Sequence, residues 1–301
     1  MPSILKLIRN PYKIVCILDK LKISKLIPDK PYLQLKYRAY VGKKLNIKSP
    51  KTFNEKLNWL KLYDRKTEYT LMVYKFEAKE YVAKIWGDEY IIPTLGVWDN
   101  VEDIDFDSLP NRFVLKCTHD SGGIVICKDK SKLNIKTTKK ILHKALKKDF
   151  YYMGREWPYK NVKKRIIAEE YMEDIKTGEL RDYKYFCFNG VAKIVFIATD
   201  RQRNDEETKF DFFDMNYNHL NFKHGHPNAI IIPEKPHNFE KMKELAEKIS
   251  VNHTHLRVDF YDVNGKIYFG ELTFFHHSAM VPFEPEEWDM ILGDWIVLPQ
   301  K

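Results

Sequence analysis

Residues 256–275, LRVDFYDVNGKIYFGELTFF, constrain the fold more than any other stretch of the chain. Two runs rich in β-branched and aromatic residues flank Val-Asn-Gly, the signal of a tight hairpin. The period of two puts Arg257 and Asp259 on one face of the first strand, and Glu271 of the second strand can lie on that face near one end of the hairpin. Two carboxylates converging there need a cation between them or a raised pKa. A hard divalent ion such as Mg2+ suits a sparse, oxygen-only pair, because water and phosphate oxygens complete its shell. Arg257 is placed to stabilise a developing oxyanion or to hold a transferring phosphoryl group.

Upstream, short β-type runs (IIPTLGVW, RFVLKCTH, GGIVICKD, RIIAEEYM, YKYFCFNG, AKIVFIATD) alternate with helical stretches at about 136–150 and 238–250. Thr52 with Glu55 three positions on predicts a capped helix over 52–63, and a second helical pattern runs over 68–86 to Gly87. Pro2, Pro11, Pro28, Pro31 and Pro50 cut the first fifty residues into short helical pieces, so no βαβ unit precedes residue 65. The expected class is α+β with mostly antiparallel hairpins, without internal repeats or a flexible linker.

Two further constellations bear on chemistry. In RFVLKCTHDSGGIVICKD, Lys116 leads into a turn of Ser121, Gly122 and Gly123, whose backbone N–H groups can approach a phosphate because glycine has no Cβ. Alone, such a segment is most often only a turn. In RIIAEEYMED and ELRDYKYFCFNG, Glu169 ends a strand, and Asp182 and Lys184 share one face of the next.

The charge is unevenly placed. Residues 1–60 hold 14 Lys and Arg against 3 Asp and Glu, a net +11, and the remainder is net −2. A basic groove for nucleic acid is therefore not expected. The basic, Leu/Ile-rich leader suits either an anionic membrane surface or a helix packed on the main domain. It lacks the long apolar run and cleavage site of a signal peptide. No apolar run approaches the ~18–20 residues of a membrane-spanning helix. Four cysteines without a CxxC pair fit a reducing compartment, so the expected location is cytoplasmic, with possible peripheral contact at the inner face of the plasma membrane.

Taken in order, the Lys before a Gly-rich hairpin, the strand ending in Glu-Glu-Tyr-Met, the D-x-K strand and RVDFYDVNGKIYFGELT resemble the ATP-grasp superfamily of carboxylate-amine ligases. KTFNEKLNWLKLYDR, GDEYIIPTLGVWDN, GREWPYKNVKKRIIAEEYMED and EEWDMILGDWI are similar to the TupA-like ATP-grasp proteins of bacterial surface-polysaccharide pathways, over about residues 35–299. The resemblance implies an ATP-grasp fold: a basic helical leader and packing segment over 1–65, a small subdomain with the Gly-rich flap over 66–165, and a large subdomain with the metal-binding hairpin over 166–301.

It further implies ATP and Mg2+ as cofactors. Lys75 and Lys116 would bind phosphates, with Ser121, Gly122 and Gly123 as the flap. Glu169 would meet the adenine amino group, the backbone of Glu170, Tyr171 and Met172 would form the hinge, and Asp182 would take the ribose. Lys184 would contact a phosphate or acyl phosphate, Arg257 the tetrahedral intermediate, and Asp259, Glu271 and Thr273 the metal. Tyr74 and Thr273 depart from the superfamily's usual Asp and Asn. The implied reaction joins a carboxylate, such as a uronic acid of a capsule or other surface polysaccharide, to an amine or amino acid through an acyl phosphate, releasing ADP. Asp103, Asp105 and Asp107, in D-x-D spacing, raise a glycosyltransferase as the alternative. A non-catalytic scaffold whose leader binds membrane or polymer is the third.

The histidine pairs 224/226, 253/255 and 276/277 are read as solvated loop residues rather than zinc ligands, since no third ligand stands at a recognised spacing. His276, His277 and Ser278, directly after the metal strand, are expected at the acceptor site.

Overall fold

The computed structural model describes residues 10–300 apart from 121, 177, 179 and 201–206. Two antiparallel sheets organise it. The smaller contains β1 (Thr94–Trp98), β2 (Phe113–Cys117), β3 (Val125–Cys127) and β4 (Ile166–Glu170) in the order β1-β4-β2-β3. The larger contains β5 (Asp182–Phe188), β6 (Val191–Thr199), β7 (Lys209–Asp214), β8 (His219–Leu220), β10 (His255–Val263) and β11 (Lys266–Thr273), in the order β11-β10-β5-β6-β7-β8. A two-stranded ribbon pairs β9 (Lys223–His224) with β12 (Phe283–Glu284). The expected α+β class and antiparallel pairing are as found.

Alternation decides which face each strand residue serves. On β10, Leu256, Val258 and Phe260 are fully buried, and Trp86 stacks on Phe260 at 5.2 Å between ring centroids. The Trp86 indole N–H donates to the carbonyl of Leu245 (3.0 Å), tying helix Glu77–Trp86 to helix Phe239–Ser250. Arg257 and Asp259 take the opposite face. A bulge between Asp259 and Phe260 leaves Gly270 unpaired on β11. A Cβ at Gly270 would press on the Asp259 carbonyl at 3.0 Å, so glycine suits the close approach of the strands here.

Apolar side chains form two separate clusters. The smaller gathers Phe113, Leu115, Ile166 and Ala168 with Leu142 and Ala145 of helix Ile135–Leu146. The larger gathers the six-stranded sheet with Val15, Tyr32, Phe53 and Leu57. It also takes Tyr69, Met72, Val82 and Trp86, so the helices of 68–86, expected with the small subdomain, bury their apolar faces under the large sheet instead.

Local signals hold closely at the helix over Phe53–Tyr63, where Thr52 and Glu55 form a reciprocal capping box. The helix expected over 68–86 is broken: Glu68–Val73 and Glu77–Trp86 are separated at Tyr74, whose ψ of 104° is extended. The stretch expected at 136–150 ends at Leu146, and Phe150–Gly154 is a separate short helix. Residues 1–9 of the leader lie outside the described residues. The rest of it is packed: Arg155, itself buried, donates to the carbonyls of Ser24 (2.6 Å) and Ile27 (3.1 Å), and Asp29 meets Arg65 at 2.7 Å and the Tyr151 hydroxyl at 2.7 Å. This favours the packing-element reading for residues 23–30. No helix among the described residues is long and apolar enough to cross a membrane.

Candidate active site

The register of the large sheet brings the expected catalytic and metal residues to one face. Asp259 pairs with Glu271 across β10–β11 and with Lys184 across β10–β5, and Arg257 pairs with Thr273. The Arg257 guanidinium lies at the centre. Its Nε donates to Oδ1 of Asp259 (2.7 Å), and its Nη2 donates to Oδ2 of Asp259 (2.7 Å), Oε1 of Glu271 (2.8 Å) and Oγ1 of Thr273 (3.0 Å). Such bidentate, charge-assisted contacts are among the strongest available to a side chain. Burial works to lower the Arg257 pKa, and Asp259 and Glu271 more than reverse it. Lys184 donates to Oδ1 of Asp182 (2.9 Å) and also to Asp259, while burial pulls its pKa below the usual lysine range.

The donor set on this face is two carboxylates and a hydroxyl already converging on one positive group. It fits a hard cation: the ligands are all oxygen, and the Glu271 side chain remains 38% exposed on the open side.

Asp182 joins this face to a cleft between the sheets. Ile92, Val114, Lys116, Ile124, Ile126, Glu169, Glu170, Tyr171, Met172, Leu180, Asp182 and Tyr261 line about 280 Å³ of it. Six residues expected on a nucleotide, Lys116, Glu169, Glu170, Tyr171, Met172 and Asp182, are therefore gathered in one place. The apolar walls are Ile124, Ile126 and Tyr261, and both isoleucines are exposed despite their size. An apolar slot with a few convergent polar groups is the usual form of a small-molecule site.

Within that cleft Glu169 is not open to an incoming amino group. Its carboxylate is clasped by Lys79 (2.6 Å) and by Lys116. Burial pushes its pKa up, yet Lys116 and Lys79 together hold it below the ordinary carboxylate range. Lys79 also donates to the carbonyl of Ile92 (2.8 Å) and to Thr94 (2.8 Å). Sequence reading missed Lys79. Its signal was a lysine on the apolar face of a helix, beside Ala78 and Val82.

Lys75 occupies the break between the helices over 68–86. Its Nζ donates to the carbonyl of Asp120, and burial lowers its pKa against the opposing pull of Glu271. The flap itself is partly described: Ser121 lies outside the described residues, and Gly122 and Gly123 precede β3. Gly123 has φ +75°, and a Cβ there would collide with Ala145, so the hairpin closes on its helix only with glycine.

The acceptor candidates divide. Ser278 donates its hydroxyl to Glu156, and its carbonyl accepts from Lys61 (2.6 Å). Lys61 is fully buried, and its pKa falls to about 7 through desolvation. Burial raises that of Glu156, with Lys61 opposing. Neither residue was singled out from sequence. His276 faces Arg257, whose Nη1 donates to its Nδ1 at 2.8 Å. His224, His253, His255 and His276 are buried, which corrects the expectation of solvated loop histidines. Burial lowers the pKa of each, and that of His277, with neighbouring cations and imidazoles adding to the effect at His276 and His277.

The D-x-D segment makes a turn. Oδ1 of Asp105 accepts from the backbone N–H of Asp107 (3.0 Å), and Asp103 accepts from Asn100 (2.9 Å).

Residues 55–297 match the family described as TupA-like ATPgrasp. No curated protein matches. Among solved structures, the D-alanine–D-alanine ligase of Bacillus anthracis complexed with ATP is 15% identical, covers 68% of this chain and 54% of its own, and has a TM-score of 0.39. The ATP-grasp ligase PsnB complexed with minimal precursor is 8% identical, with 75% and 60% covered and a TM-score of 0.42. The biotin carboxylase domain of Hydrogenobacter thermophilus 2-oxoglutarate carboxylase, in complex with MgADP, ADP and bicarbonate, is 16% identical, with 68% and 40% covered and a TM-score of 0.44. The chain thus spans between 40% and 60% of the length of these structures.

Proposed function

The chain belongs to the TupA-like ATP-grasp family, and from that premise we propose that it is an Mg-ATP-dependent, ADP-forming ligase that joins a carboxylate to an amine through an acyl phosphate. The observation that carries this reading is the unbroken contact from the cleft to the hairpin: Asp182 to Lys184, Lys184 to Asp259, and Asp259 through Arg257 to Glu271 and Thr273.

In this reading the base lies between Ile124, Ile126 and Tyr261, with the backbone of Glu170 to Met172 at its edge and Asp182 beside the ribose. Glu169 acts through Lys116, holding the ammonium over the phosphates, rather than touching the adenine itself. Lys75 and Lys116 would meet the phosphates. Asp259 and Glu271, with Thr273, would hold Mg2+, which when bound screens the phosphate charge. Arg257 and Lys184 are aimed at the charge that develops on the transferring phosphoryl group and then on the tetrahedral oxyanion. We take residues 66–165 and 166–301 as the two halves that close on nucleotide, less the helices of 68–86, which pack with the larger sheet.

The substrates we assign are a carboxylate-bearing sugar of a capsule or other bacterial surface polysaccharide, or its precursor, and an amine or amino acid. Ser278, His276 and the Glu156–Lys61 pair lie on the acceptor side. We place the protein in the cytoplasm at the inner membrane face; the part of the leader that supports membrane contact is Ile14, Leu21 and Leu26, exposed near the exposed Lys20 and Lys22. Incubation with ATP, Mg2+ and a panel of uronates and amines should release ADP with the matching pair. Release of AMP, or none with any pair, would overturn the acyl-phosphate reading.

A further inference from the structure

His224 ends β9, and His276 and His277 follow β11 on the way to β12. Phe283 of β12 pairs with His224 across the ribbon, and its ring stacks on that imidazole at 3.8 Å between centroids. The ribbon therefore fixes two segments some fifty residues apart against each other. One ring nitrogen from each of His224, His276 and His277 lies within 4.8 Å of the other two. The His276 and His277 rings are 4.1 Å apart, and each is 5.0 Å from that of His224.

Buried polar atoms in folded proteins ordinarily have partners. Here Nδ1 of His224, Nε2 of His276 and Nε2 of His277 have none, and His224 and His276 are each 1% exposed. An unmet nitrogen on each of three neighbouring rings is a heavy cost for an apolar interior unless something meets it. The backbone is also held in an uncommon state, since His277, Ser278 and Ala279 have φ of 48°, 53° and 50° in succession. Such a run persists only where the surroundings over-determine it.

The outer contacts suit ligation. Nε2–H of His224 donates to the carbonyl of Val281 (3.0 Å), leaving the lone pair on Nδ1, the arrangement that orients imidazoles on metals. The backbone of His224 hydrogen-bonds the His277 ring, whose Nε2 stays open. At His276, Nδ1 accepts from Arg257, so the neutral ring carries its proton on Nε2. An ion binding there displaces that proton to solvent, and the guanidinium balances the imidazolate that results. The three ligands are all nitrogen, which disfavours Mg2+ and Ca2+ and favours a borderline ion with bonds of about 2.0–2.1 Å once the rings turn toward it.

We propose that His224, His276 and His277 form a binding site for one divalent transition-metal ion of the zinc class, distinct from the oxygen site at Asp259 and Glu271 and joined to it through Arg257. The site does not depend on the ligase reading.

The test uses the full chain, stripped with a chelator and held in excess Mg2+ so that the carboxylates are occupied. Zn2+ titrated by calorimetry should bind at one equivalent with sub-micromolar affinity, and Co2+ should give the intense visible bands of a four-coordinate nitrogen site. His224→Ala and His277→Gln should each weaken Zn2+ binding about a hundredfold or more, with far-UV circular dichroism matching the wild type. Absence of saturable Zn2+ binding, a Co2+ spectrum no stronger than that of the hydrated ion, or equal affinity in the folded variants overturns the proposal. Should neither variant fold, the wild-type Co2+ spectrum decides the matter.

Discussion

Asp259 and Glu271 are direct partners across the β10–β11 hairpin, and one guanidinium, that of Arg257, holds both carboxylates. A cation is thus already seated between the carboxylates proposed for the metal. On that reading, Mg2+ would draw the carboxylates away from Arg257 and free the guanidinium to meet substrate. Glu271 is the cleaner probe of this exchange, because Asp259 is fully buried and its loss would take a carboxylate from both Arg257 and Lys184. Glu271→Gln should lower ADP release about a hundredfold or more with little change in melting temperature. Retained turnover at ordinary Mg2+ concentration would make the hairpin purely structural.

Lys116 and Lys79 share Glu169 but differ in what else they face. Lys116 lines the cleft, whereas Lys79 is tied to Ile92 and Thr94. Lys116→Ala should weaken ATP binding on the order of 1.5–3 kcal/mol, the value of a charge-assisted contact. Lys79→Ala should act mainly on stability. Nucleotide titration and thermal melts, run on both variants, separate the two roles, and identical profiles would refute the distinction.

His255 sits among Phe53, Phe186 and Phe188, and burial lowers its pKa to about 4 from 6.5. The unfolded chain therefore binds a proton below pH 6.5 that the folded chain refuses until about pH 4. Stability is lost as pH falls through this window, by up to about 1.4 kcal/mol per pH unit for each such group. His255→Phe should flatten the loss between pH 6 and 4 in denaturant titrations. An unchanged slope would mean that His255 is protonated in the fold.

The exposed apolar side chains of the leader can be tested without cutting it. Removing residues 1–30 would take away Asp29 and the carbonyls that Arg155 holds. The double variant Leu21→Glu/Leu26→Glu instead alters side chains that are 59% and 84% exposed. Each Lys or Arg near an anionic bilayer contributes about 1 kcal/mol, and apolar insertion adds to it. Sedimentation with anionic vesicles at low salt should fall for the double variant while ATP binding persists. Failure of the wild type to sediment removes the membrane from the picture.

Much of this was legible in the sequence where the cause is local. The Val-Asn-Gly turn marked the hairpin and alternation put Arg257 and Asp259 on one face, whereas Glu271 joins them only through the bulge at Gly270, which shifts the register by one; Thr52 with Glu55 marked a helix start to the residue. Lys116 and the Glu-Glu-Tyr-Met strand converge on the cleft in the order in which they are written. What escaped is tertiary in origin. Nothing in EYTLMVYKFEAKEYVAKIW announces the break at Tyr74, which follows from docking on the large sheet rather than from propensity. Lys61, Glu156 and Ser278 lie far apart in sequence, and only the fold joins them. His224 likewise meets His276 through a two-residue ribbon too short to leave a periodic signature.

The ion pairs of the cleft bear on how a nucleotide arrives. Lys75, Lys116, Lys184 and Arg257 are set against Glu169, Asp182, Asp259 and Glu271, as many cations as anions. Such a surface projects little net field into solvent, so it neither gathers polyanions nor steers them from a distance. On the proposed reading, a nucleotide would enter by trading one partner for another at contact range. The association rate should then vary with ionic strength far less than the number of lysines suggests, and selectivity rests on whether the incoming phosphates can replace each displaced carboxylate in turn.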